Sequence, residues 1–416
     1  MKRLLKVTAM TGLLTLLRMA MGFVIAKVVA IHTGPTGLAM LGQVQSLVAS
    51  LNGIISAPVG NGVVRFTAEY QAEGIEACSP WWRAAWQWVL ILSAIIIPLS
   101  LCLSEILSAW LFKNSSLSWV VVVTVLILPL SAISTFFNSI INGLQQYRRF
   151  VGLSMLSVLL SSALMLAMIS IYNIEGALLA AATQSALIGI VMLCANIRQP
   201  WFKLCYWWGR VDEKARNDIR NYILMAITSA LTVPTSIILI RNIITGQLGW
   251  DAAGQWQAVW KISEVYLGVV TTALGTYYLP KLSSLKNVNL ISREVNKTAC
   301  VIIPVVIFIA VCIYLLRDVV ISLLFTEAFK NARELFAVQL TGDVVKIIAW
   351  LYAYPMLSRG ATSWYVGSEI LFSFLFVFLS YALINDMGLI GVNISYLVTY
   401  SSYLLFVSIL FKKITL

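Results

Sequence analysis

Long apolar runs recur along the whole chain, and they constrain its fold more than any other feature. The 416 residues are 60% hydrophobic and 11% charged, whereas soluble domains carry about 25% charged residues. A helix that crosses a hydrocarbon core of about 30 Å needs roughly 20 mostly apolar residues. The alternating segments of about 10 residues that build membrane β-barrels do not fit these runs. We therefore predict an all-α polytopic membrane protein.

About twelve transmembrane helices are expected. The first run is too long for a signal peptide, and no small-residue cleavage site follows it. The predicted spans are residues 8–31, 38–59, 84–104, 117–142, 150–172, 176–197, 219–243, 253–280, 298–316, 331–357, 363–383 and 389–411.

The basic residues indicate the orientation of these helices. The chain has 29 Lys and Arg against 17 Asp and Glu, for a formal net charge of +12. If the N-terminus is cytoplasmic, most of the 29 lie in cytoplasmic segments, as the positive-inside rule requires. We therefore expect both termini in the cytoplasm. The charge then reflects topology and contact with anionic membrane lipids, so nucleic acid is not an expected partner.

Catalytic and cofactor-binding motifs are missing from the sequence. The six cysteines form no CxxC pair, and His32 is the single histidine, so we expect no metal site, disulfide or Ser-His-Asp triad. No Walker motif or glycine-rich phosphate loop is present, so ATP hydrolysis and cofactors are not expected. If the chain is a transporter, its transport must therefore be driven by a gradient, by membrane potential or by removal of product.

Two halves of the chain resemble each other. The longest polar connection, residues 198–218, separates a predicted six-helix lobe at 1–197 from a second at 219–416. Both lobes then have the same orientation, and a substrate site is expected between them near the middle of the membrane. Four weak matches recur at spacings of about 213 residues: Ala26–Gly34 with Ile240–Gly246, Trp110–Lys113 with Leu323–Thr326, Val151–Gly152 with Val366–Gly367, and Tyr172–Gly176 with Ile384–Gly388.

Three cations are candidates for binding an anionic substrate. Arg18 lies near the middle of the first span, where a charge costs at least about 2.5–3.5 kcal/mol unless it meets water or a partner. It either faces a cavity or caps carbonyl groups of a neighbouring helix. Lys27 and Arg241 occupy the same position of the repeat, near the outer ends of the first and seventh spans. Each either flanks the cavity or extends to the membrane interface.

The remaining charged candidates lie within later spans. Lys261 and Glu264 are three residues apart, as are Asp343 and Lys346, so each pair shares a helix face. Each pair either neutralises itself or lines an aqueous cavity, where a carboxylate could also take up protons. Glu369 has no charge within a turn of its own helix, so it is protonated, paired with another helix or exposed to the cavity. Counting all of these groups, the site is expected to be net cationic.

Proline is a candidate for bending one of these helices. Pro234 lies inside the seventh span beside Thr232, Thr235 and Ser236. Proline removes one helix hydrogen bond and bends the helix. Pro234 is therefore a hinge candidate, with a static kink as the alternative.

Several stretches resemble the Wzx polysaccharide flippases, of the O-antigen and enterobacterial common antigen lipid III type. They are Thr33–Leu38, Gly254–Gln257 running to Leu279–Ser283, and Glu334–Lys346, the last being the most specific. The resemblance covers essentially the whole chain. It implies membership of the multidrug/oligosaccharidyl-lipid/polysaccharide (MOP) superfamily, with two six-helix lobes, alternating access and a cationic cavity.

The implied substrates are undecaprenyl-diphosphate-linked oligosaccharide repeat units, most simply those of O-antigen. Common antigen and capsule units are alternatives, and a drug/cation antiporter shares the same fold. An antiporter predicts a cavity dominated by unpaired carboxylates, which the candidate residues do not provide. A polymerase or membrane glycosyltransferase generally needs a large outer loop, and the longest outer loops here are 105–116 and 317–330. The polymerase and chain-length regulator of the same pathway are possible protein partners.

Overall fold

The computed structural model describes residues 2–278, 281–282, 285 and 287–415. Across these residues the chain forms α-helices joined by short 3-10 and π segments, without β-strands. The predicted all-α class is therefore confirmed. The stretch 279–283 quoted for the family resemblance lies mostly outside the described residues, and Lys286 is also outside them.

The helices follow one another with short connections. In chain order they are α1 (Lys2–Ser56), α2 (Asn61–Tyr70), α3 (Ile75–Cys102), α4 (Ser104–Phe112), α5 (Ser118–Leu126), α6 (Leu128–Gly143), α7 (Tyr147–Asn196), α8 (Leu204–Trp207), α9 (Glu213–Gln247), α10 (Gly249–Ala273), α11 (Val288–Leu315), α12 (Arg317–Leu324), α13 (Phe336–Arg359), α14 (Thr362–Met387) and α15 (Leu389–Thr415). A 3-10 segment, Glu327–Leu335, precedes α13.

Nine helical stretches within the described residues are long and apolar enough to cross a membrane. Two of them, Met10–Glu73 with 64 residues and Tyr147–Asn196 with 50 residues, are far longer than one crossing requires. Residues with non-helical backbone angles interrupt both, at Gly34 inside α1 and at Asn173 inside α7. Both breaks fall between spans that were predicted as separate. The 25-residue helix α10 is not among the nine, and the total of twelve stays a prediction.

Residues with positive φ recur at a fixed spacing. Outside glycine the left-handed region is sterically costly, so such residues mark sharp changes of chain direction. Gln145 has φ 55° and Asn173 has φ 50°, and each is followed 215 positions later by a glycine with positive φ. This spacing is close to that of the sequence matches between the two halves. The pairs are Gly34 with Gly249, Gln145 with Gly360, and Asn173 with Gly388.

Internal contacts divide the chain into two compact units. Unit 1 comprises Met1–His32 and Met40–Thr235, and unit 2 comprises Thr33–Ala39 and Ser236–Leu416. The change from unit 1 to unit 2 within α9 falls one residue after Pro234. The predicted connection 198–218 and the first part of the predicted second lobe therefore belong to unit 1 by their contacts.

The connection 198–218 is folded onto unit 1. Trp201 is buried, and its ring lies 5.4 Å from that of Phe137 in α6. The guanidinium of Arg83 donates hydrogen bonds to the carbonyl of Cys205. Nearby, the buried indole of Trp82 donates to the hydroxyl of Thr67 at 2.8 Å. Trp82 and Trp201 therefore pack inside the unit.

Apolar side chains cover outward-facing helix surfaces. In α11, Val301, Phe308 and Leu315 are 62%, 69% and 71% exposed. They are spaced seven residues apart and therefore lie on one face of the helix. An exposed stripe of this kind requires an apolar surrounding, which agrees with a multi-pass membrane protein.

Candidate substrate-binding residues

Arg18 is exposed on α1. Within the described part of the chain it makes no side-chain hydrogen bond or salt bridge. An α-helix turns by about 100° per residue, so Arg18 lies about 160° around the helix axis from Leu16 and about 120° from Val24. Both of these apolar residues are exposed. On its own side of α1 are the buried Leu14 and Val29. Arg18 is thus an exposed cation on the side of α1 opposite to its exposed apolar stripe.

Lys27 occupies the other side of the same helix. It lies about 180° around α1 from Arg18, close to the angular positions of Val24 and Ile31, which are 44% and 58% exposed. Its side chain is half-buried and has an interaction partner. Lys27 and Arg18 therefore do not line one face, and the placement of Lys27 is typical of a lysine that extends along apolar surface to an interface.

Arg241 is buried inside unit 2, with 1% of its surface exposed. Its Nε donates to Oε1 of Gln257 at 3.1 Å. Its guanidinium carbon lies 6.0 Å from the ring centre of Trp256. These contacts join α9 to α10, so Arg241 differs from the half-buried Lys27 although the repeat equates the two positions.

Lys261 and Glu264 form the ion pair that their spacing allows. Nζ of Lys261 lies 2.8 Å from Oε2 of Glu264. Their side chains are 23% and 59% exposed. The structure therefore favours the first of the two alternatives for this pair, in which it neutralises itself on the surface of α10.

Asp343 is fully buried in α13 and accepts four side-chain hydrogen bonds. Ser263 and Tyr266 donate to Oδ2 at 2.6 and 2.8 Å. Gln339 and Tyr396 donate to Oδ1 at 3.2 and 2.8 Å. The carboxyl group thus ties α13 to α10 and α15. It does not line an aqueous surface in this conformation.

Lys346 lies three residues after Asp343, but the ion pair that this spacing allows does not form. No carboxylate of the described residues lies within 4.0 Å of its ammonium group. Four aromatic rings surround the group instead, with Nζ-to-centroid distances of 5.6 Å to Trp260, 4.9 Å to Trp350, 5.4 Å to Tyr396 and 4.9 Å to Tyr400. The ring electrons attract a cation, so these contacts compensate part of its lost hydration.

The two remaining candidates have simpler surroundings. Glu369 in α14 is half-buried and has an interaction partner. Pro234 is half-buried inside α9, which continues as one helix across it. Of all the candidates, only Arg18 is both exposed and without a polar partner among the described residues.

Sequence reasoning missed the aromatic and hydroxyl partners of Asp343 and Lys346. Tyr396 is the most important of them, because its hydroxyl contacts Asp343 and its ring contacts Lys346. A signal was available in the spacing, since Tyr396 and Tyr400, like Lys346 and Trp350, are four residues apart and share a helix face. Spacing alone could not reveal that the two helices meet.

Parts of the three family-like stretches come together in unit 2. A Cβ atom at Gly254 would overlap the backbone of Pro35, so the segment after the break at Gly34 packs directly on α10. The side chain of Gln255 donates to the carbonyl of Ala328 at 2.6 Å. Ala328 belongs to the 3-10 segment Glu327–Leu335, which contains the first two residues of the third stretch. Asp343 of that stretch accepts a hydrogen bond from Ser263 of α10.

Comparisons with known proteins agree with this architecture. The Lipid III flippase of Escherichia coli (strain K12) is 29% identical over 410 residues, which cover 96% of each chain. An inward-facing multidrug resistance MATE family transporter of the MOP superfamily has 16% identity and a TM-score of 0.70, covering 96% of this chain and 98% of its own. An outward-facing transporter of the same description gives 16% identity and a TM-score of 0.67, covering 98% and 95%.

At these identities the solved structures establish the fold alone. The family model described as "Polysaccharide biosynthesis protein" matches residues 4–286, which is more than half of the chain. The chain therefore belongs to the polysaccharide biosynthesis protein family and has the fold of the MOP superfamily transporters.

Proposed function

We propose that the chain moves an undecaprenyl-diphosphate-linked oligosaccharide from the cytoplasmic to the periplasmic leaflet of the bacterial inner membrane by alternating access. Three observations support this function. They are the family match over residues 4–286, the similarity along 96% of the chain to a Lipid III flippase, and a fold related to transporters in both inward-facing and outward-facing states.

The exposed Arg18 is the single structural observation that carries the proposal. An unneutralised charge within a membrane span is costly unless water or a counter-ion reaches it. Arg18 lies opposite to the apolar stripe of α1 and has no partner among the described residues. A diphosphate offers the oxygen acceptors that a guanidinium binds best, through two parallel hydrogen bonds. An anionic lipid carrier is therefore the substrate class that suits this position.

The membrane potential provides a driving force for such a substrate. Moving a negative charge from a negative interior to the outside is favoured by about 2.3 kcal/mol per charge per 100 mV. Our proposal therefore requires no coupled ion. The surroundings of the carboxylates agree with this, because Glu264 is paired with Lys261 and Asp343 is enclosed by four donors. Ion coupling through Glu369 is the alternative.

Two substrate pathways are candidates. The sequence resemblance suggested O-antigen units, whereas the 29% identical relative is named a Lipid III flippase, which favours the common antigen alternative. Drug or cation export is disfavoured, since the exposed partnerless charge at Arg18 is positive.

Complementation tests the proposal and separates the two pathways. The chain would be expressed in one strain that lacks its O-antigen flippase and in another that lacks its Lipid III flippase. We expect surface polysaccharide to return in at least one strain, and the strain that recovers identifies the substrate. If neither recovers while the protein is present in the membrane at normal abundance, the proposed function is wrong.

A further inference from the structure

Four aromatic rings hold the Lys346 ammonium in unit 2, and they come from three helices. Trp260 is on α10, Trp350 is on α13 with Lys346, and Tyr396 and Tyr400 are on α15. The rings also contact one another, with centroid separations of 5.5 Å for Trp260 with Tyr396 and 4.8 Å for Tyr396 with Tyr400. We refer to Lys346 and these four rings as the aromatic cage.

The nearby carboxylate does not neutralise this lysine by direct contact. Each oxygen of Asp343 accepts two hydrogen bonds from neutral side chains. One of the donors is Tyr396, whose ring also faces the ammonium. The geometry therefore directs the Asp343 oxygens toward hydroxyl and amide donors, and the three N–H groups of Lys346 make no ion pair within the described residues.

The aromatic cage is partly exposed. Tyr396 is its most buried ring, with 1% of its surface exposed. Lys346, Trp260, Trp350 and Tyr400 are each half-buried, so all four keep surface that a ligand can reach. Rings that served only to shelter the ammonium inside the protein would enclose it, and here three of the four rings keep exposed surface.

Exposed aromatic rings beside a cation suit one class of ligand. The C–H faces of a pyranose ring are apolar and pack on flat aromatic rings, as other apolar groups do. An ammonium group donates up to three hydrogen bonds to an anion, and charge-assisted bonds are the stronger kind. We propose that the aromatic cage binds a hexopyranose that carries an anionic group, with the sugar face on Trp260, Trp350 or Tyr400 and the anion on Lys346.

This assignment rests on the proposed function, since it assigns a binding site to part of the same substrate. Two parts of a lipid-linked oligosaccharide have the required chemistry. One is the sugar joined to the diphosphate, and the other is an acidic sugar within the repeat unit. Both present a pyranose face next to a negative charge, and soluble probes distinguish them.

Saturation-transfer NMR of the full-length protein in detergent measures this binding directly. The probes are glucose 1-phosphate, glucuronic acid and methyl α-glucoside, which differ in the position and presence of the charge. The variants are Lys346→Met, Lys346→Arg and Trp350→Leu. Trp364→Leu is the matched control, because Trp364 is an exposed tryptophan of unit 2 whose ring contacts Phe406. Thermal unfolding of each variant shows whether it is folded.

We expect saturation transfer to at least one charged sugar and little to methyl α-glucoside. Lys346→Met and Trp350→Leu should each weaken binding about tenfold, whereas Lys346→Arg and Trp364→Leu should retain it. Preference for glucose 1-phosphate assigns the aromatic cage to the diphosphate-linked sugar, and preference for glucuronic acid assigns it to an acidic sugar of the unit.

Equal binding of the neutral glucoside overturns the inference, and so does unchanged binding by folded Lys346→Met and Trp350→Leu. A third result also overturns the inference. If Lys346→Met and Trp350→Leu lose binding because they unfold, and Lys346→Arg stays folded but loses binding, the aromatic cage has only a structural role. The complementation assay is independent of these results. Transport without probe binding overturns only the aromatic cage, and probe binding without transport overturns only the proposed flippase activity.

Discussion

Gly254 lies so close to Pro35 that a methyl group at position 254 would overlap the proline backbone. The contact joins α10 to the segment of α1 that follows the break at Gly34, and both belong to unit 2. Backbone atoms cannot move aside as a flexible side chain can. The glycine is therefore required by packing, even though glycine weakens a helix.

Replacing this glycine should destabilise the protein. We expect Gly254→Ala to lower the free energy of unfolding by about 1–3 kcal/mol, the usual cost of overpacking. Gly268→Ala is the control on the same helix, because no atom lies within 4 Å of its added Cβ. That substitution should be neutral or stabilising by up to about 1 kcal/mol. Equal melting temperatures of the two detergent-purified variants would contradict the packing described for Gly254.

Asp343 should be required for the stability of unit 2. In Asp343→Asn an amide N–H₂ replaces one oxygen and faces groups that donate hydrogen bonds. We expect a loss of about 1–3 kcal/mol, the cost of leaving buried polar groups unsatisfied. Glu264→Gln removes the charge from a partly exposed ion pair and should change stability by less than about 1 kcal/mol. A fully stable Asp343→Asn protein that fails to transport would instead point to ion coupling at Asp343.

Arg241 and Lys27 should differ in their sensitivity, although the repeat equates them. Arg241→Ala leaves the Gln257 side-chain oxygen without its donor and opens a buried cavity, so we expect a loss of at least about 2 kcal/mol. Lys27→Ala removes a half-buried side chain from the apolar side of α1 and should cost less. The measurement is membrane abundance with thermal unfolding. Equal losses would indicate that the two cations have the same role.

The orientation of the connection 198–218 can be tested with a native cysteine. Cys205 is exposed and can be labelled without a substitution in the connection. A cysteine introduced at Gly209 would be strained, because this glycine has φ 143° and a Cβ atom there would lie 3.3 Å from the Arg83 side chain. In a variant that retains only Cys205, an impermeant reagent should label permeabilised cells and leave intact cells unlabelled. Ser115→Cys, at an exposed position in a predicted outer loop, should label in both. Labelling of Cys205 in intact cells would reverse the predicted topology.

The sequence predicted the helical class and the breaks because both depend on local chemistry. Gly34 precedes a proline, and Asn173 lies three residues before a glycine, so both breaks coincide with short-range signals between apolar runs. Long apolar stretches similarly require helices in lipid. These features can be predicted without knowing which helices pack against each other.

The partners of the charged residues could not be predicted, because they lie far apart in sequence. Asp343 meets Tyr266 across 77 positions and Tyr396 across 53. Helical spacing allowed an ion pair with Lys346, but side chains from α10 and α15 donate hydrogen bonds to the carboxyl group instead. The pair that did form, Lys261 with Glu264, joins two residues three positions apart on one helix, so helical spacing alone brings them together.

The charge requirement at Arg18 tests the central claim most directly. Transport of the lipid-linked oligosaccharide would be measured as surface polysaccharide in the complemented strain, with membrane abundance determined for each variant. We expect Arg18→Ala to abolish transport at normal abundance, Arg18→Lys to retain part of it, and Leu16→Ala, on the apolar stripe of the same helix, to retain nearly all. Lysine keeps the charge but cannot form the two parallel hydrogen bonds of a guanidinium. Full transport by Arg18→Ala at normal abundance would contradict the account.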